Sequence, residues 1–93
     1  MVTAIVLITA ESGRVQEVAQ NVIEIEGVTE AYSVTGDHDL VALVRLSDFE
    51  ALGEVVPGRI AQVKGIERTE TMVAFRAYSN YDLDRAWSMG FEE

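Results

Sequence analysis

Two hydrophobic patterns occupy the first 25 residues of the chain. Residues Val2 to Ala10 are apolar on both alternating faces, a pattern typical of a buried strand. Apolar residues then recur at spacings of three and four from Arg14 to about Ile25, which predicts an amphipathic helix. Ser12 is the predicted N-cap of this helix, and Gly27 is the glycine expected at its end.

A short polar turn, Gly36-Asp37-His38-Asp39, separates two apolar runs, residues 28–34 and 40–46. Both runs are rich in β-branched and aromatic residues, and glycine followed by aspartate is typical of a tight reversal. We therefore predict an antiparallel hairpin. The turn carries two carboxylates and the only histidine of the sequence, so a polar ligand is expected here first. The alternative is a solvated hairpin tip, which also needs polar residues.

The second half begins with a capping-box pattern, in which Ser47 is followed three residues later by Glu50. This pattern predicts a second helix that starts at about Asp48. Pro57-Gly58 interrupts the helix, because proline lacks a backbone N–H and clashes with the preceding turn. Residues 59–63 are compatible with a helix that resumes after this kink.

The last two periodic segments are a strand and a short helix. Residues 66–78 alternate between two faces and predict a long strand. Residues 82–89 predict a final helix whose apolar face includes Leu83 and Trp87. We expect this face to pack on the domain or on a partner subunit, because burial of a tryptophan and a leucine is strongly favourable.

The order of elements is strand, helix, strand, strand, helix, strand, followed by the terminal helix. Two such split β-α-β units predict an α+β fold, the ferredoxin-like βαββαβ sandwich, with both helices on one face of an antiparallel sheet. Residues 1–79 form this predicted domain and residues 80–93 a helical tail. Strands one and three are apolar on both faces, so the open face of the sheet predicts a homodimer that closes sheet against sheet.

Composition excludes several classes of function. The chain has 93 residues, enough for one domain, and contains no cysteine and a single histidine, so we expect no metal site and no cofactor. Its net charge of −9 argues against direct binding of nucleic acid. The apolar runs are too short to span a membrane, and the start of the sequence lacks a signal-peptide pattern. A cytoplasmic location is the expectation.

Several passages together resemble one known family, the leucine-responsive and asparagine-responsive (Lrp/AsnC) transcriptional regulators. The similarity is to their effector-binding domain, also called the RAM domain. It covers essentially residues 1–79 and rests on the passages at residues 2–8, 25–28, 35–40 and 65–71. Family members usually carry an N-terminal DNA-binding helix-turn-helix. Because this sequence begins at once with strand one, it resembles the stand-alone versions that lack it.

The resemblance implies dimers built through the sheets, assembly of dimers into larger rings, and binding of free amino acids where dimers meet. Full-length Lrp/AsnC regulators become possible partners. The ligand groups of the family lie near the hairpin turn and the start of the last strand. In this sequence they correspond to Gly36, Asp37, His38, Asp39, Thr69 and Thr71. His38 stands where the family often has tyrosine or tryptophan.

The six predicted site residues have the chemistry needed to bind a free amino acid, which is a zwitterion. Asp37 or Asp39 can accept hydrogen bonds from the ammonium group of an amino acid. Backbone amides around Gly36, where no Cβ blocks close approach, can donate to its carboxylate. The hydroxyls of Thr69 and Thr71 can complete the set of donors. The leading hypothesis is therefore an amino-acid sensor without catalytic residues.

Two other functions stay open. Dimeric α/β barrels also include small monooxygenases and isomerases, whose sites need an inward-facing polar or aromatic side chain between helices and sheet. The candidates for that role are His38, Trp87, Arg45 and Arg76, but no set of acid, base and nucleophile is evident. A bare oligomerisation module is the third hypothesis, although its turn would have no reason to keep two carboxylates.

Overall fold

The computed structural model describes residues 1–78 and residue 80. It contains four strands, two α-helices and one short 3-10 helix within these residues. In chain order they are β1 (Val2–Ala10), α1 (Val15–Ile23), β2 (Val28–Ser33), β3 (Leu40–Leu46), α2 (Phe49–Val55), the 3-10 helix (Ile60–Gln62) and β4 (Ile66–Ala74).

The strands form one antiparallel sheet in the order β2-β3-β1-β4. Strand β1 lies inside the sheet and pairs with both β3 and β4, whereas β2 and β4 are the edges. The β-α-β-β-α-β order and this topology confirm the predicted ferredoxin-like sandwich. The hairpin between β2 and β3 is confirmed as well, with Gly36 at a φ of +111° in its turn.

The core lies between one face of the sheet and the helices. In β1 the side chains of Ala4, Val6, Ile8 and Ala10 are buried, and their neighbours on β3 are Leu40, Ala42 and Val44. The helical layer covers them with Val18, Val22, Leu52, Val55, Val56 and Ile60. No polar or charged side chain is buried among residues 1–78. The core is therefore apolar, and it uses one of the two alternating faces of β1 and β3.

Both predicted N-caps are wrong by a residue or more. The position before α1 is Arg14, without a side-chain cap, because the chain first turns through residues 11–14 with Gly13 at a φ of +82°. At α2 the cap is Asp48, whose carboxylate accepts a hydrogen bond from the Ala51 backbone N–H at 2.9 Å. An aspartate three residues before a free amide caps as well as the serine of the predicted box.

The ends of three predicted elements also differ. Helix α1 ends at Ile23, so Gly27, at a φ of +102°, marks the entry to β2 instead of the helix end. Residues 59–63 contain only the 3-10 turn. Strand β4 ends at Ala74 and not at Tyr78, because Ala74 pairs with Thr3 and β1 offers almost no further residues to pair with. The predicted helix at residues 82–89 lies outside the described residues.

Candidate functional site

The β2–β3 hairpin stands at the end of the sheet where β1 finishes. The backbone N–H of Val34 donates to the Asp39 carbonyl at 3.0 Å, and the Asp39 N–H donates to the Ile8 carbonyl at 2.9 Å. Gly36 and Asp37 at the tip are exposed, whereas His38 and Asp39 are half-buried. The second half of the turn is therefore held against β1, and the first half is open to a ligand.

Two side chains of the turn contact the end of β1. The Asp39 carboxylate accepts a hydrogen bond from the Ala10 N–H at 2.8 Å, and Nδ1 of His38 lies 3.4 Å from the Thr9 hydroxyl. Asp39 thus has a structural partner. Asp37 has no hydrogen-bond or ion-pair partner among the residues that the structure describes. Of the two carboxylates predicted to receive an ammonium group, Asp37 is the one that remains available.

Strand register places the two threonines of β4. Thr69 pairs with Ile8, which in turn pairs with Leu40, so Thr69 lies in the same cross-strand row as the base of the hairpin. Two strand spacings separate them, about 10 Å. Thr71 pairs with Val6, two rows further from the turn, on the same side of the sheet as the helices. Thr69 and the four turn residues therefore lie at one end of the sheet, whereas Thr71 lies nearer its middle, and the six predicted residues do not close a single pocket in one copy.

Thr9 and Arg68 belong to this end of the sheet and were missed from the sequence. Arg68 pairs with Thr9 on the face that the helices leave open, and Thr9 is the residue whose hydroxyl lies beside His38. Arg68 is exposed. Alternation in β4 indicates that Arg68 and Thr69 face opposite sides, but only the register with β1 places Arg68 beside Thr9, at the end of the sheet that carries the hairpin.

The open face of the sheet is apolar at its centre. Its apolar residues are Ile5, Leu7, Val41, Leu43, Tyr32 and Met72, and the carboxylates Glu30 and Glu70 lie on the same face. Tyr32 is 49% exposed and Met72 45% exposed. The neighbouring Glu30 raises the pKa of the Tyr32 hydroxyl from its ordinary 10.0, first through a side-chain hydrogen bond and then through its charge. The ring of Tyr32 adds to the apolar area of this face.

Two cavities lie away from the hairpin. One, of about 240 Å³, is at the opposite end of the open face and includes Arg45 and Arg76 in its lining. The other, of about 370 Å³, lies between α2 and β4 on the helical side and includes Thr71. Neither arginine stands between the helices and the sheet, where an α/β-barrel enzyme needs its polar groups, and Trp87 lies outside the described residues.

Two further searches covered only residues 1–78 and 80. No group of three or more histidine, aspartate or glutamate side chains is arranged to hold a metal ion there. No helix in the same part of the chain has the length and apolar character needed to cross a membrane.

Comparison with known proteins decides the family. The model of the Lrp/AsnC ligand binding domain matches residues 3–83. This chain belongs to the Lrp/AsnC ligand-binding domain family. The fold, the order of the strands and the glycine-containing hairpin described above are all parts of that matched range, so the resemblance seen in the sequence is confirmed.

Individual members of the Lrp/AsnC family agree with this assignment. The chain is 33% identical over 75 residues to the HTH-type transcriptional regulator FL11 of Pyrococcus abyssi, covering 81% of this chain and 49% of that protein. It spans about half the length of the curated relatives it matches.

Solved structures add two comparisons. The crystal structure of TTHA0845 from Thermus thermophilus is 53% identical, with a TM-score of 0.80 over 85% of this chain and 99% of that one. The feast or famine regulatory protein Rv3291c of M. tuberculosis, solved in complex with L-methionine, is 29% identical, with a TM-score of 0.69 over 86% of this chain and 54% of that one.

Proposed function

We propose that this Lrp/AsnC ligand-binding domain is a sensor of free amino acids and has a regulatory instead of a catalytic role. The observation that carries the proposal is the hairpin. It presents an available carboxylate at Asp37 and a positive-φ glycine at Gly36 on the same end of the sheet as the guanidinium of Arg68. An amino acid has one ammonium and one carboxylate group, and this end of the sheet offers a partner to each.

Assembly is the second part of the proposal. The six predicted site residues do not enclose a pocket in one copy, so a second copy has to complete the site. The apolar open face provides the primary contact for a homodimer, sheet against sheet, and leaves the hairpins free for contacts between dimers. Residues 1–79 act as the binding domain. Mixed assemblies with full-length Lrp/AsnC regulators would connect such a sensor to DNA.

The bare oligomerisation module is a second candidate, because one of the two turn carboxylates has a structural contact that needs no ligand. Asp39 has a reason to be present without any ligand, since it accepts the Ala10 N–H. Asp37 has no such reason among the described contacts. The two candidate functions therefore differ in what they predict for Asp37.

A thermal-shift screen with the twenty amino acids at fixed protein concentration tests the proposal. A ligand that binds the folded state raises the melting temperature as its concentration exceeds Kd. We expect at least one amino acid to stabilise the parent. Titration of that ligand against Asp37→Ala should show binding weaker by about 1.5–3 kcal/mol, since an ammonium group loses its charged partner.

Thr71→Val should cost less binding than Asp37→Ala, because it removes only a neutral hydroxyl. Glu67→Ala is a matched control, since it removes an exposed carboxylate from the start of β4 and keeps the hairpin intact. If no amino acid stabilises the parent, or if Asp37→Ala binds as well as the parent does, the oligomerisation module is the better description.

A further inference from the structure

Two arginine side chains line the same cavity at the end of the sheet opposite the hairpin. The cavity has a volume of about 240 Å³. Arg45 pairs with Thr3, and Thr3 pairs with Ala74, so these three residues form one cross-strand row of the open face. Arg76 follows Ala74 by two residues and belongs to the same lining. Two of the seven basic residues of the sequence therefore share one small volume.

The side chains of this cavity differ in length and in chemistry. Thr3 and Ala74 contribute only short side chains, whereas each arginine carries a planar group of N–H donors on a long stem. The Thr3 hydroxyl is a further donor. Phe75 also belongs to the lining, and it is 93% exposed, so its ring offers an apolar surface beside these donors. The cavity thus combines charged and hydroxyl donors with one aromatic ring.

The positive charge of the cavity is not balanced by the described part of the chain. The lining contains no carboxylate. Within residues 1–78 and 80, neither arginine forms an ion pair, and the ion pairs found there belong to Arg14. Glu30 and Glu70, which also lie on the open face, occupy other cross-strand rows. Two guanidinium groups that share a small volume repel each other, and a bound anion would remove that repulsion.

We infer that this cavity binds the phosphate group of a small phosphorylated compound, with Arg45 and Arg76 as donors to its oxygens. A phosphate monoester carries about two negative charges and three acceptor oxygens, which suit two guanidinium groups and one hydroxyl. The volume is below the usual range for a drug-sized ligand, so the organic part is small, and Phe75 provides its contact. The inference does not depend on amino-acid binding, which is proposed for the opposite end of the sheet.

The cavity stands at the margin of the surface proposed for the homodimer. The apolar residues at the centre of the open face lie in the rows of Ile5 and Leu7, whereas Arg45 lies in the row of Thr3. Arg76 lies beyond the last residue of β4. Contact over the apolar rows therefore leaves one such site in each copy, at the periphery of the dimer. The expected stoichiometry is one phosphate group per chain.

Isothermal titration calorimetry with phenyl phosphate and with inorganic phosphate tests the inference. We expect saturable binding of both probes to the full chain, weaker at high salt because the contact is between charges. Arg45→Gln and Arg76→Gln each remove a charge from an exposed position and should weaken binding of both probes by about ten- to a hundredfold. Phe75→Ala should weaken binding of phenyl phosphate only. The matched control is Arg59→Gln, which removes the same charge from an exposed residue before the 3-10 helix and should bind as the parent does.

Two more measurements locate the site and identify the anion. In NMR spectra recorded during the phosphate titration, the amide signals of Thr3, Arg45 and Arg76 should move, and those of the hairpin should not. Succinate, a dicarboxylate, should bind more weakly than phenyl phosphate.

The inference is overturned if neither phosphate probe binds, if the amide shifts occur at the hairpin, or if succinate binds more tightly than phenyl phosphate. It is overturned as well if Arg59→Gln weakens binding as much as Arg45→Gln does. The same holds if Arg45→Gln leaves phosphate binding intact and lowers the mass of the oligomer in light scattering. The arginines would then pair with carboxylates of a second copy.

Discussion

At the residue scale, Asp39 joins the hairpin to β1 through the Ala10 N–H. Asp39→Ala would leave that buried amide without a partner. We expect the free energy of unfolding to fall by about 1–3 kcal/mol, measured by urea denaturation. The sequence predicted Asp39 only as a candidate ligand-binding residue, whereas the hydrogen bond to Ala10 gives it a structural role.

The control for this substitution is the neighbouring turn residue Asp37. Asp37→Ala removes the same charge from an exposed position, and its effect on unfolding should stay within about 0.5 kcal/mol. Equal stability of the two variants would show that the Asp39 hydrogen bond contributes nothing. Asp39→Asn keeps an acceptor for the Ala10 N–H and should retain most of the stability.

One side chain, that of Asp48, also caps the start of α2. Asp48 accepts the Ala51 N–H at 2.9 Å, whereas Ser47, the predicted cap, has no such bond. We expect Asp48→Ala to lower the unfolding free energy by about 1 kcal/mol, as loss of an N-cap usually does. Ser47→Ala should be close to neutral in the same thermal or urea measurement. A larger loss for Ser47→Ala than for Asp48→Ala would restore the capping box predicted from the sequence.

At the scale of elements, the glycine before β4 sets how closely α1 packs on the sheet. Gly65 is buried at a φ of +100°, and its carbonyl accepts the Glu11 N–H at 2.7 Å. A Cβ on Gly65 would lie 2.9 Å from Cγ2 of Val18, a residue with no exposed surface. The Val18 side chain is fully buried and the Gly65 backbone is held by its hydrogen bond, so this close approach requires glycine.

Substitution of Gly13 separates the stability cost of a positive φ from that of side-chain overlap. It also has a positive φ, of +82°, but a Cβ there would meet nothing within 4 Å. Both Gly65→Ala and Gly13→Ala incur the backbone cost, and Gly65→Ala adds the overlap with Val18. We expect Gly65→Ala to be less stable than Gly13→Ala by about 1–3 kcal/mol in urea unfolding. Equal losses would mean that α1 moves away freely.

At the scale of the whole molecule, the two faces of β3 have different roles. Leu40, Ala42 and Val44 are buried under the helices, and Val41 and Leu43 lie on the open face. Leu43→Glu should therefore convert the proposed homodimer to a folded monomer, as light scattering at micromolar concentration would show. Ala42→Glu should abolish the circular dichroism of the fold, because it buries an unpaired charge in the core.

A parent that is monomeric at micromolar concentration would contradict sheet-to-sheet assembly, and so would an unaltered oligomer in Leu43→Glu. Gln20→Glu is a suitable control, since it adds the same charge at an exposed position of α1, on the side of the sheet opposite the open face. Ala42 and Leu43 are adjacent in β3 and receive the same charge, so different outcomes for the two variants would reflect the face of the sheet and not the net charge.

The local pattern of the sequence determined most of the architecture. Short apolar runs predicted the strands β1 and β3, and helical spacing predicted α1, because burial of one face of a helix imposes its period on the side chains. The hairpin followed from residues whose backbone chemistry favours a turn. The family resemblance added what periodicity cannot contain, namely the hypothesis of an amino-acid site near Asp37 and Thr69.

Tertiary structure decided what depends on partners distant in the sequence. The end of β4 at Ala74 is set by where β1 begins, and the bond from Ala10 to Asp39 is set by how the hairpin meets β1. Register placed Arg68 beside Thr9 and separated Val41 from Leu40 by face. A period of two leaves the choice of face open until a helix covers one of them. Only the folded chain therefore distinguishes the core from the surface proposed for assembly.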